Sequence, residues 1–207
     1  MVSLKIIVVR HGQTEWNKKD IFRGRKDIPL DESGKKQAIL TANRIAEMNL
    51  SVKRVYSSPL QRSFETAENI AKIFSLEVIP KKELIEFDFG QWEGHSNEEI
   101  KKKYPQMYSN WLNHPQALVI PDAETLNQAT QRVQVAVKDI LQEARGDLVI
   151  VTHKVINKIV IGCLMGWDQD HSWKIEQDLA SINIIDIQDE HANVEMLNHT
   201  THLLHEK

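Results

Sequence analysis

The sequence predicts an α/β fold, a three-layer sandwich whose mostly parallel central sheet carries helices on both faces. Two observations predict it. Ile6-Ile7-Val8-Val9 and Leu148-Val149-Ile150-Val151 are continuous, mostly β-branched apolar runs, the pattern of strands buried on both faces. Around them apolar residues recur at helical steps, and strands alternating with helices build parallel sheets.

The helices follow in order. Ala38, Ala42 and Ile45 share one face of a helix predicted from Ser33 to Glu47. Leu60, Phe64, Ala67, Ala71 and Phe74 fall at steps of three and four, as do Leu126, Ala129, Val133, Val137 and Ile140. Ser58-Pro59-Leu60-Gln61 offers a capping serine, a proline at the first helical position and a glutamine three beyond the cap. Thr125-Leu126-Asn127-Gln128 and Ser96-Asn97-Glu98-Glu99 match the same capping box. Ser181 to Ile187 and Asn193 to Leu197 read as strands at one sheet edge, joined in a hairpin. With no internal repeat, low-complexity stretch or linker, residues 1–207 read as a single domain.

Bulk numbers narrow the function. With 41% hydrophobic and 27% charged residues the composition is that of an ordinary soluble globular chain. The formal charge of −3 argues against a nucleic-acid binder, which gathers a basic excess on one face. Lys18-Lys19, Lys35-Lys36 and Lys101-Lys102-Lys103 read as solvated helix faces. A single cysteine, Cys163, in an apolar stretch excludes an intrachain disulfide and reads as a small hydrophobe, which suits a reducing cytoplasm. No apolar run is long enough for a signal peptide core or a bilayer span, so no membrane partner is expected.

The chemistry is expected beyond the carboxyl ends of the parallel strands, where open α/β sheets bind ligands. Both buried runs end there in a histidine, the first in Arg10-His11-Gly12 and the second in Thr152-His153. The helix starting near Ser58 adds Arg62 in its first turn, where the positive end of the helix dipole already favours anions. Arginine binds two oxygens of a phosphate at once. Arg10, Arg62 and two histidines make a cationic pocket in a mildly acidic chain, and a phosphomonoester suits it. The acid partner stays open on this reading, because Glu83, Glu86, Asp88 and Glu93 are all near.

Arg10-His11-Gly12-Gln13-Thr14-Glu15-Trp16-Asn17 resembles the signature of the histidine phosphatase superfamily, the phosphoglycerate-mutase-like enzymes. The resemblance continues through Phe22-Arg23-Gly24-Arg25, Pro29-Leu30-Asp31-Glu32-Ser33-Gly34 and Tyr56-Ser57-Ser58-Pro59-Leu60-Gln61-Arg62-Ser63. It resumes at Leu84-Ile85-Glu86-Phe87-Asp88-Phe89-Gly90-Gln91-Trp92-Glu93-Gly94 and Val151-Thr152-His153, in family order along nearly the whole chain. The resemblance implies that His11 attacks phosphorus as a neutral imidazole to give a phosphohistidine. It implies that Arg10, Arg62 and His153 hold the phosphoryl oxygens, and that Asn17 and the backbone near Gly24 line the same pocket. It singles out Glu86 as the proton donor, which needs a raised pKa; Phe87, Phe89 and Trp92 supply an apolar setting for that. It implies no metal and no cofactor.

Three departures stand out. Lys154-Val155 replaces a glycine pair common in relatives, and the lysine is expected to face solvent. Asp122-Ala123-Glu124-Thr125 keeps the acid and hydroxyl of a Gly-Gly-Glu-Ser stretch without its glycines. Arg23 stands where glutamine or threonine is more usual and adds positive charge at the pocket mouth. A helical cap is expected around residues 94–118, and its compactness resembles the phosphatase branch. The expected activity is hydrolysis of a small-molecule phosphoester, with phosphoglycerate mutase and a catalytically weak phosphate-binding module as alternatives, in a monomer or homodimer. His199, His202 and His205 recur in the tail without the ordered surroundings a metal site needs. His202 and His95 are candidates for substrate contact, and His114, His171 and His191 are read as surface residues.

Overall fold

A computed structural model describes residues 3–189 and 191–206. The strands are β1 Ser3–Arg10, β2 Val52–Ser57, β3 Val78–Pro80, β4 Asp147–Thr152, β5 Ile182–Gln188 and β6 His191–His199. The α-helices are α1 Glu15–Lys18, α2 Glu32–Ala46, α3 Gln61–Ile73, α4 Asn97–Lys103, α5 Pro105–Asn113, α6 Leu126–Glu143, α7 Lys154–Met165 and α8 Gln169–Trp173. The sheet order is β3-β2-β4-β1-β5-β6. The pairs β3–β2, β2–β4 and β4–β1 are parallel, and β5 and β6 complete the edge as an antiparallel hairpin.

The two apolar runs lie side by side at the sheet centre, with Ile6 opposite Leu148 and Val9 opposite Val151. Because strand side chains alternate, Ile6, Val8, Leu148 and Ile150 enter one core with Val133, Ile140, Ile156 and Val160 of α6 and α7. Ile7, Val9, Val149 and Val151 enter the opposite core with Ala42, Ile45, Ala67 and Ile70 of α2 and α3. This is the expected three-layer sandwich. No helix among the described residues is long and apolar enough to cross a membrane.

The capping boxes at Ser96 and Thr125 form as read. Ser58 does not cap its helix. The helix begins at Gln61 behind an extended Leu60, φ −66° and ψ 133°. The serine hydroxyl instead accepts from Leu60 N and reaches His153, while Gln61 N donates to Asp27 Oδ1 at 2.8 Å. The loop that departs from glycine-rich relatives places Asp122 in the left-handed region at φ 61°, a conformation Asp tolerates better than most residues. Glu124 beyond it forms an ion pair with Arg132 of α6 at 2.6 Å and one with Arg25 at 3.1 Å.

Candidate active site

β1 and β4 deliver His11 and His153 to the same sheet edge. His11 N donates to Thr152 O at 3.0 Å, and the two imidazole centroids lie 5.1 Å apart in an edge-on arrangement. Both rings are buried, 1% and 0% exposed. His11 Nδ1 lies 2.6 Å from Gly12 O. A carbonyl oxygen only accepts, so Nδ1 carries the proton and Nε2 presents its lone pair. Nε2 makes no hydrogen bond among the described residues. Gly12 is required here, because a Cβ would sit 2.5 Å from Gly34 O at the start of α2.

His153 Nε2 pairs with Ser58 Oγ at 2.8 Å, and Ser63 Oγ lies 3.4 Å from either ring nitrogen. Arg62, in the first turn of α3, donates from Nη1 to Lys26 O at 2.8 Å and from Nη2 to Gly24 O at 2.9 Å. Gly24 is left-handed at φ 49°, and a Cβ there would overlap the Glu93 carboxylate. Arg10 donates from Nη1 to Gln177 O at 2.6 Å. The side chain of the same residue is anchored: Gln177 Oε1 accepts from Asn157 and Asn183 Nδ2 at 2.9 Å each. The Nε atoms of Arg10 and Arg62 are buried without a protein partner among the described residues, an arrangement that wants an acceptor from outside.

Glu86 follows a short 3-10 turn at Lys82–Leu84 and is 5% exposed. Its loop is tied down from two sides: Thr152 Oγ1 donates to Leu84 O at 2.7 Å, and Arg132 donates to the Glu83 and Glu86 carbonyls. Phe87 and Phe89 are buried in the aromatic group that includes Phe22, Trp92 and Trp111.

These side chains meet at a cavity of about 560 Å³, lined among others by Arg10, Asn17, Arg23, Gly24 and Glu86. His11, Arg62 and His153 are fully buried and are not among its lining residues. Asn17 Oδ1 accepts from Thr14 N and Thr14 Oγ1, which leaves its Nδ2 as the free donor on the cavity side. Asn97, Trp111 and Leu112 line the cavity from α4 and α5.

The electrostatics are divided. Burial, then Arg62, Arg10 and Arg23, hold His11 well below its usual 6.5, and burial with Arg62 does the same to His153. Both are neutral at physiological pH. Burial raises Glu86 above 4.5, against the opposing pull of Phe87 N and of Arg62, Arg23 and Arg10. Burial lowers Arg10 to about 9 and Arg62 to about 10, so both remain cationic at neutral pH. The site therefore combines a neutral imidazole with a free lone pair, a carboxyl that resists ionisation and three guanidinium groups. Such a set can transfer a phosphoryl group.

Neither of the two histidine candidates for substrate contact is among the cavity's lining residues. His202 is turned to Thr41 Oγ1 of α2 at 3.1 Å, drawn by the packing of the C-terminal turn on that helix. His95 is exposed and faces Glu99, because its backbone pairs with Phe22 and directs the ring outward. Lys154 is solvent-exposed yet stands at the cavity rim, 3.5 Å from Glu176. His205's side chain lies outside the described residues; no metal-binding cluster of His, Cys, Asp and Glu occurs among those that are described. Sequence reading missed Arg132, Gln177, Asn157 and Asn183, which carry no motif. It also misread Ser58, whose place immediately after the β2 carboxyl end was the available clue.

The family profile of the histidine phosphatase superfamily (branch 1) matches residues 6–200, and the chain belongs to that superfamily. It is 36% identical over 205 residues to phosphoserine phosphatase 1 of Hydrogenobacter thermophilus, covering 97% of this chain and 94% of that protein. It is 31% identical over 202 residues to a metal-independent phosphoserine phosphatase of Arabidopsis thaliana, covering 96% of this chain and 83% of that one. Among solved structures it is similar to the alpha-ribazole phosphatase of Shigella flexneri, with TM-score 0.83, 25% identity and coverage of 95% and 96%.

Proposed function

We propose that this chain is a metal-independent phosphomonoesterase that hydrolyses a small phosphorylated metabolite through a phosphohistidine on His11. The observation that carries the reading is the hydrogen bond from Nδ1 to Gly12 O, which leaves Nε2 unprotonated beside His153. Nε2 attacks phosphorus and the bond from phosphorus to the ester oxygen breaks. Protonated Glu86 gives its proton to the departing oxygen. Arg10, Arg62, Arg23, Asn17 and His153 hold the equatorial oxygens and offset their charge. In the second half Glu86 takes a proton from water, the water oxygen attacks phosphorus, and the P–N bond returns its electron pair to His11. Inorganic phosphate leaves with Glu86 reprotonated. The segment α4–α5 acts as a cap that selects the alcohol part of the substrate.

The test is hydrolysis of p-nitrophenyl phosphate with excess chelator, wild type against His11→Ala. Turnover by wild type alone is expected. Turnover abolished by chelator, or retained by His11→Ala, refutes the mechanism. Incubation with 3-phosphoglycerate is expected to release phosphate, and rapid formation of 2-phosphoglycerate would instead identify a mutase.

A further inference from the structure

The cavity has a second cationic wall that the phosphoryl chemistry leaves unused. Lys158, one turn past Lys154 on α7, is only 6% exposed yet lines the cavity together with Lys154 and Lys174. Its Nζ donates to Trp173 O at 2.6 Å and lies 4.8 Å from the Trp173 ring centroid. An ammonium has three donors, so one remains for the cavity. No carboxylate among the described residues pairs with it; Glu176 pairs with Lys154 instead, at 3.5 Å. A buried ammonium with no carboxylate at ion-pair distance is costly, and burial, then Lys154, lower Lys158 to about 8 against the opposing pull of Glu176. An anion entering this end of the cavity removes that penalty.

The neighbours say which anion. Glu176 and Asp178 share the wall with the lysines. A second, dianionic phosphate would face both carboxylates at once. A carboxylate beside an ammonium meets the opposite charge on each side. We infer that Lys158, with Lys154 at the rim, binds the carboxylate of a phosphorylated amino acid whose ammonium lies toward Glu176 and Asp178. This rests on the phosphomonoesterase reading and specifies the class of its substrate.

Three esters test it on the full chain: O-phosphoserine, O-phosphoethanolamine, which lacks the carboxylate, and propane-1,3-diyl bisphosphate, which carries a second phosphate. A charge-assisted hydrogen bond predicts that wild type prefers phosphoserine over phosphoethanolamine in kcat/KM by roughly tenfold to a hundredfold. Lys158→Met brings that ratio toward unity, and Lys154→Ala lowers it in part. Should Lys158→Met fail to fold, the exposed Lys154→Ala decides alone. A wild-type ratio near unity overturns the inference, as does a ratio that both folded variants leave unchanged. So does faster hydrolysis of the bisphosphate than of phosphoserine. In each of these outcomes esters are still cleaved, so the hydrolase reading survives. Failure to cleave any of them, or p-nitrophenyl phosphate, refutes that reading and this one together.

Discussion

Replacing Glu86 with glutamine separates two demands made on one buried carboxyl. Its Oε1 accepts from Phe87 N at 2.9 Å, and the amide oxygen of glutamine can take over that bond with the same shape. What disappears is the transferable proton. General acid catalysis contributes about 10²–10⁴-fold, so kcat/KM on an alkyl phosphate such as phosphoserine falls by roughly that factor. p-Nitrophenolate is a weak base and leaves without help, so on that ester the variant loses mainly the second half-reaction. A stoichiometric burst of p-nitrophenol should then precede slow turnover. Stability moves the other way. Burial raises the folded pKa of Glu86 above 4.5, so its stabilising contribution is complete below about pH 4.5 and is lost as pH climbs through the raised value. At neutral pH the wild type holds a poorly solvated carboxyl that glutamine replaces without charge. Thermal melts should show Glu86→Gln with the higher Tm at neutral pH and convergence near pH 4.5. Unchanged kcat/KM on phosphoserine would refute the assignment of Glu86 as acid. A lower Tm at neutral pH would refute the burial argument.

Further outcomes follow from the same geometry. His11 and His153 are held below 6.5 in the fold, so stability is expected to fall as pH drops below about 6.5 toward their depressed values. Tm measured from neutral to mildly acidic pH should show that slope, with a shallower one in His153→Gln; a flat wild-type profile refutes it. Gly24→Ala forces a Cβ into the Glu93 carboxylate at positive φ and should cost about 1–3 kcal/mol in urea unfolding. It should also lower kcat/KM, because Gly24 O anchors Arg62. Arg132→Met removes a partly buried partner of Glu124 and the clamp on the Glu83–Glu86 carbonyls. About 3 kcal/mol of stability should be lost, and kcat should fall more than KM rises; a wild-type kcat would show that the loop holds Glu86 without the clamp.

What the sequence showed, and what it hid, has a physical basis. β1 and β4 were legible because a central parallel strand buries both faces, which leaves a continuous run of β-branched residues that few other elements produce. α7 was not legible for the same reason turned round. Nine of its residues are buried, so no polar face marks its period. Two histidines at strand ends were readable, yet their orientation was not. Asn157, Asn183 and Gln177 are ordinary amides that matter only because folding brings residues 20 and 6 positions apart into one hydrogen-bonded set beneath Arg10. Gly12 shows how far the local code reaches. Its missing side chain lets the loop close against Gly34, and its carbonyl then fixes the proton on His11 Nδ1. A side chain at position 12 would displace that carbonyl along with the loop, freeing the imidazole to turn or change tautomer, so in the proposed mechanism the glycine beside His11 governs which nitrogen meets phosphorus.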